Sequence, residues 1–149
     1  MSLIKSENAL RRRGGVTPTT AAVAHAVILT LLTKPLAVGD IIELDELDPG
    51  VRLVDAQLTG AGLDTNATPT LAFAIGEINS AGTDLAVTYD TGLKCGGGAV
   101  GTTARLATGG GLVPAAKLSR KLGLKVTAAA ATDGATGNRL VVIAGLASL

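Results

Sequence analysis

The sequence predicts an all-β fold, an antiparallel β-sandwich or jelly roll with an extended N-terminal arm. Three observations predict it. Short runs rich in Val, Ile, Leu and Thr recur along the chain, about seven or eight of them at regular spacing. Clusters of Gly, Pro, Asn and Asp separate the runs and mark turns. No helical pattern alternates with the strands, as an α/β enzyme would require.

The elements follow in order. Residues 1–20 (MSLIKSENALRRRGGVTPTT) are polar and basic and contain Gly14-Gly15 and Pro18. They read as an extended arm that enters the folded body near Thr19, leaving residues 21–149 as a single domain. Residues 23–33 form a strand signal stopped by Lys34-Pro35. Residues 40–44 (DIIEL) form a short strand between Gly39 and a turn that carries Pro49-Gly50. Residues 51–58 alternate, which predicts Arg52, Val54, Ala56 and Leu58 on the buried face, with Arg52 at the sheet's end. A polar loop over 60–69 leads to a strand over 70–78 with Leu71, Phe73 and Ile75 on one face. Residues 85–89 are a further strand.

The stretch 92–111 contains CGGGAVG and TGGG. Glycine at that density weakens any regular element, so a long close-packed loop or irregular strands are expected. Pro114 suits a first helical position, and Leu118 and Leu122 stand four apart, which predicts a helical turn or two over 114–121. Residues 124–130 and 139–146 read as closing strands, with the turn signal Asp133-Gly134 between them.

Composition narrows the function. Hydrophobic residues make up 47% and charged residues 17%, a globular balance. Phe73 and Tyr89 are the only aromatics, so smaller aliphatic side chains fill the interior. Contacts with other subunits are expected to add burial, and the chain ends to be tied down by neighbours. Thirteen Lys and Arg against twelve Asp and Glu argue against general attraction to nucleic acid or an anionic membrane. A single cysteine, Cys95, precludes an internal disulfide framework. The apolar run 21–32 after Arg11, Arg12 and Arg13 superficially resembles a signal peptide. It falls short of the about 20 residues of a membrane span, and no A-x-A site follows it.

No catalytic constellation emerges. His25, the only histidine, sits inside an apolar strand and reads as a strand residue with a satisfied ring. Cys95 has no histidine or basic cluster to activate it and reads as a small buried thiol. CGGGAVGTT lacks the lysine of a phosphate-binding loop. Asp40, Glu43, Asp45, Glu46 and Asp48 lack Ca²⁺-loop spacing and read as an exposed acidic strand end and turn. No cofactor, metal or enzymatic activity is expected. Lys5, Arg11, Arg12 and Arg13 read as an arm able to clasp an acidic surface of a neighbour. At four charges they are a poor match for DNA.

The segment 39–76 resembles a pattern in virion proteins of tailed bacteriophages. It is carried by Gly39-Asp40, Pro49-Gly50, the V-x-L-x-D-x-x-L strand over 51–58, Leu63-Asp64 and the strand over 71–76 that closes on Ile75-Gly76. The family it resembles is the small capsid decoration, or cement, proteins. The resemblance implies a jelly-roll subunit made in the bacterial host cytoplasm and bound outside the major capsid protein lattice. That subunit would stabilise the lattice against the pressure of packed DNA, as a homo-oligomer, dimer or trimer. It implies partner contacts by the arm (Lys5, Arg11, Arg12, Arg13) and by the C-terminal Ala147, Ser148 and Leu149. Three other readings are a head–tail connector, tail or fibre-associated protein, a carbohydrate- or receptor-binding sandwich, and an enzyme. The scarcity of aromatics weighs against the sugar reading and the single histidine against the enzyme.

Overall fold

The computed structural model describes residues 1–6, 23–98, 101–106 and 117–148. Its strands are β1 (Leu3–Lys5), β2 (Val23–Leu31), β3 (Ile41–Leu47), β4 (Val51–Gly60), β5 (Ala72–Ile78), β6 (Leu85–Leu93), β7 (Thr102–Arg105), β8 (Arg120–Ala128) and β9 (Arg139–Ser148). β5 pairs with β6, β4 with β7, β3 with β8 and β2 with β9, all antiparallel. These nested pairs roll up into two sheets, β1-β3-β8-β5-β6 and β2-β9-β4-β7. The result is a jelly-roll β-sandwich, extended by β1.

Alternating residues of both sheets point into one aliphatic core. Ile28, Leu53, Leu58, Phe73, Leu124 and Val142 are wholly buried there. Phe73 supplies the wholly buried ring, Tyr89 packs partly buried against the core, and aliphatic side chains supply the rest.

β4 departs from its expected face. Val51 and Leu53 are buried while Arg52 and Val54 are half-exposed, and only Ala56 and Leu58 sit inside as the alternation predicts. The register with β9 shifts between Leu53 and Asp55. This β-bulge inserts one residue and exchanges the two faces beyond it.

The expected helical turn also fails in its described part. The chain bends at Lys117 and Leu118, and Arg120 already begins β8. Leu122 joins Leu124 and Val126 in a period of two facing the core, which overrides the four-residue spacing of Leu118 and Leu122. Residues 114–116 lie outside the described residues. Asp133-Gly134 does not close a hairpin either, because β8 and β9 belong to different sheets. The loop between them crosses the sandwich, and its tight turn falls at Thr136-Gly137, closed by Asn138 N–H donating to Ala135 O at 2.9 Å.

The glycine-rich stretch is close-packed where it is described. A Cβ on Gly96 would stand 2.6 Å from the Leu63 side chain, and one on Gly97 would stand 2.7 Å from Pro69. Residues 99–100 and 107–111 lie outside the described residues.

Candidate assembly surfaces

Among the described residues, the unusual chemistry lies on two surfaces. At the amino end, β1 lies parallel to β3, with Leu3 opposite Ile41 and Lys5 opposite Glu43. Asp40, buried at the start of β3, fastens it. Ser2 donates its N–H (2.7 Å) and Oγ–H (2.9 Å) to Asp40 Oδ1. Lys34 Nζ (3.0 Å) and Ala37 N–H (3.1 Å) donate to Oδ2. Burial opposes ionisation of Asp40, but the donors from Ala37, Lys34 and Ser2 outweigh it and hold its carboxyl below the ordinary value. Ser6 then donates its N–H to Glu43 O at 2.7 Å and its hydroxyl to Leu44 O.

The acidic stretch is therefore not the exposed run that its composition suggests. Asp40, Glu43 and Asp45 are buried, and Glu46 is the exposed member. Glu43 lies between Lys121 (3.2 Å) and Lys5 (3.9 Å). Pairing with cations of β1 and β8 lets Glu43 sit in the sheet, as Lys34 does for Asp40. A groove of about 490 Å³ opens beside them, lined by Leu3, Glu43, Glu46, Glu77, Arg120 and Lys121 among others. Glu77 in its wall accepts from Arg120 at 2.9 Å and from the Tyr89 hydroxyl. Burial, then the Glu77 carboxylate, push the Tyr89 hydroxyl far above its ordinary value.

The residues expected to touch a partner are thus partly placed. Lys5 is exposed on β1 and pairs within its own chain to Glu43. Ala147 is buried between Val23 of β2 and Arg52 of β4. Ser148 is half-buried opposite Val51. Arg11, Arg12, Arg13 and Leu149 lie outside the described residues.

The outer face of the β2-β9-β4-β7 sheet holds what sequence reasoning missed. His25 lies in the apolar strand β2, as the sequence suggests, and its side chain is exposed on this face. It stands level with Gly145, which in turn stands opposite Asp55. Arg105 Nη2 reaches Asp55 Oδ2 at 2.7 Å and Arg105 Nε reaches Oδ1 at 3.1 Å. That bond with Arg105, with a smaller contribution from His25, holds the Asp55 carboxyl below its ordinary value. Beside this polar strip, Val27, Leu29 and Leu31 of β2 stand level with Ile143, Val141 and Arg139 of β9. Val27 is 58% exposed and Leu31 44%. The signal was present as a run apolar on both faces of one strand, where a half-buried strand alternates with polar residues.

Cys95 is buried, and burial pushes its thiol up to about 12. No group of three His, Cys, Asp or Glu side chains among the described residues is placed to hold a metal ion.

No family model and no curated protein matches the sequence. The fold is that of phage capsid chains. A chain from the capsid of Ralstonia phage GP4 matches with a TM-score of 0.77 and 28% identity, covering 99% of this chain and 98% of that one. A chain of the cyanophage Pam1 capsid asymmetric unit matches with a TM-score of 0.52 and 19% identity, over 93% and 95% of the two chains. The second is a likeness of fold alone.

Proposed function

We propose that this chain is a structural protein of a phage virion, and within it a decoration, or cement, subunit on the outside of the major capsid protein lattice. One observation carries this reading: the likeness to the GP4 capsid chain spans nearly the whole of both chains. A compact sandwich with its buried carboxylates paired and its apolar side chains on an outer sheet face is suited to docking rather than chemistry. Each subunit bridges seams between capsid proteins, and many copies sum small contacts into a higher barrier to rupture by packed DNA.

Lys5 with Arg11, Arg12 and Arg13 of the arm, and the chain end at Ala147, Ser148 and Leu149, are the proposed contacts with the lattice. Because Ala147 is buried within its own sheet, its part is to aim the residues that follow it. The arm comprises residues 1–20 and the sandwich 21–149, and the finished subunit resides on the capsid surface after synthesis in the host cytoplasm.

Copy number tests the reading. Gel densitometry of purified particles is expected to give a simple ratio to the major capsid protein. A few copies per particle would move the chain to a connector, tail or fibre position, and absence from particles would end the virion reading.

A further inference from the structure

We infer that β1 is a strap that opens by itself, baring the edge of β3 while the sandwich stays folded, with the Asp40 carboxylate as its catch. The inference concerns the isolated subunit and is independent of the virion reading.

β1 lies at the end of its sheet and, among the described residues, pairs with β3 alone, over Leu3–Lys5. Little apolar burial holds it there. Leu3 and Lys5 are exposed, and Ile4 leans half-buried on the core. Leu3 also reaches toward the loop after β5, where a Cβ on Gly82 would stand 3.6 Å from it. An element with so few buried apolar contacts opens at a smaller free energy than the core does.

Polar bonds at the two ends supply the rest of the attachment. Ser2 gives both its N–H and its hydroxyl to Asp40 Oδ1, and Lys34 Nζ donates to that hydroxyl oxygen. Ser6 closes the other end on Glu43 O and Leu44 O. Lys5 faces Glu43 between them at 3.9 Å. Once β1 lifts, water can replace each of these partners, so the net loss per bond is small.

The two oxygens of Asp40 divide the work. Oδ1 serves the strap, whereas Oδ2 accepts from Lys34 (3.0 Å) and Ala37 (3.1 Å). With β1 lifted, the carboxylate keeps its cation and its turn. β3 keeps β8 on its other side, and Ile42 and Leu44 stay in the core. Opening bares only Ile41, which is wholly buried but not part of the core cluster, and the backbone groups of β3 that β1 covers. β1 is thus the guard of that edge.

Hydrogen exchange of the full-length protein, read residue by residue by NMR, tests the assignment. Ile41 N–H donates to Ser2 O (2.8 Å) and Ser6 N–H to Glu43 O (2.7 Å), so both report the strap. Val126 N–H, which donates to Asp40 O at 2.9 Å, reports the sandwich. The Ile41 and Ser6 amides are expected to be protected at least about a hundredfold less than Val126, with no dependence on dilute urea. Ser2→Pro removes both donors to Asp40 Oδ1 without changing the charge, and is expected to lower their protection at least about tenfold more. Ser2→Ala, which keeps the N–H, is expected to lower it by less. Val126 protection and the melting temperature are expected to hold in both variants. Ile41 and Ser6 protected as strongly as Val126 would overturn the inference, because strap and sandwich would then open as one. So would a Ser2→Pro chain whose Ile41 and Ser6 protection is unchanged, or whose Val126 protection falls along with theirs.

Discussion

Asp64 Oδ2 accepts the N–H of Ala131 at 3.0 Å across 67 residues of chain. The same carboxylate accepts from Thr70 (2.8 Å) and Leu71 (3.2 Å) on Oδ2, and from Asn66 (3.2 Å) and Thr132 (3.1 Å) on Oδ1. Its backbone is held as firmly, with Gly98 N–H donating to Asp64 O at 3.0 Å and Asp64 N–H donating to Gly96 O at 3.1 Å. Three loops at one end of the sandwich are thereby tied to one wholly buried residue, two through its side chain and the third through its backbone. Leu63 beside it packs closely against Gly96.

Asp64→Asn is expected to destabilise the fold by about 2–5 kcal/mol, because the amide turns an N–H₂ toward backbone N–H donors that then lose their acceptor. Urea denaturation followed by circular dichroism measures it. A loss below about 0.5 kcal/mol would show that the loops hold without the carboxylate.

Acid should find the same site. Burial alone would raise the Asp64 carboxyl, but the N–H groups of Ala131, Thr132, Thr70 and Asn66 outweigh it and hold it far below 3.8. Asp40 is shifted the same way. A carboxyl depressed in the folded state contributes its stability in full above the unfolded value, about 3.9. That contribution is lost as pH falls from there through the folded value. Melting temperature is therefore expected to be flat with respect to these two groups from neutral pH to about 5 and to fall steeply below about 4. Asp64→Asn should flatten that acid limb, and an unaltered limb would assign it to other groups.

Gly76→Ala is expected to cost about 1–3 kcal/mol. A Cβ there would stand 2.0 Å from Val87 O, so β6 would have to move off β5. Thermal melting of the variant reads the loss directly.

Cys95 should resist iodoacetamide in the native protein and react once denaturant unfolds it, because its thiol is buried and pushed up to about 12. Mass spectrometry before and after unfolding distinguishes the two states. Rapid native labelling would mean that the loop over 94–98 opens far more readily than its packing suggests.

Replacing Arg11, Arg12 and Arg13 together with serine is expected to lower occupancy on particles while leaving the melting temperature unchanged. Residues 2–6 stay in place in this variant, which matters because Ser2 and Leu3–Lys5 pair with Asp40 and β3. Full occupancy would take the arginines out of the attachment.

Eight of the nine strands overlap stretches whose β-rich composition or glycine content pointed to strands or irregular strands, because apolar period and turn residues act locally. The short β1 within the expected arm had no such signal. The outward set Val27, Leu29 and Leu31 was legible as residues but not as a surface. A strand apolar on both faces is written the same way whether its second face is covered by a sheet or left open. The burial of Glu43 was hidden for the same reason, since its cations Lys5 and Lys121 are brought to it only by β1 and β8.

By itself the sequence determined an all-β sandwich, an aliphatic core around Phe73, a buried thiol at Cys95 and a close-packed glycine segment. Each follows from side-chain chemistry within a few residues. Tertiary structure alone decided the face exchange at Leu53–Asp55, the strand at Arg120 and the five N–H groups around Asp64. Those depend on which distant strand or loop arrives opposite. A bulge, a ladder or a shared carboxylate is set by the partner across the gap and leaves no period in the chain that carries it.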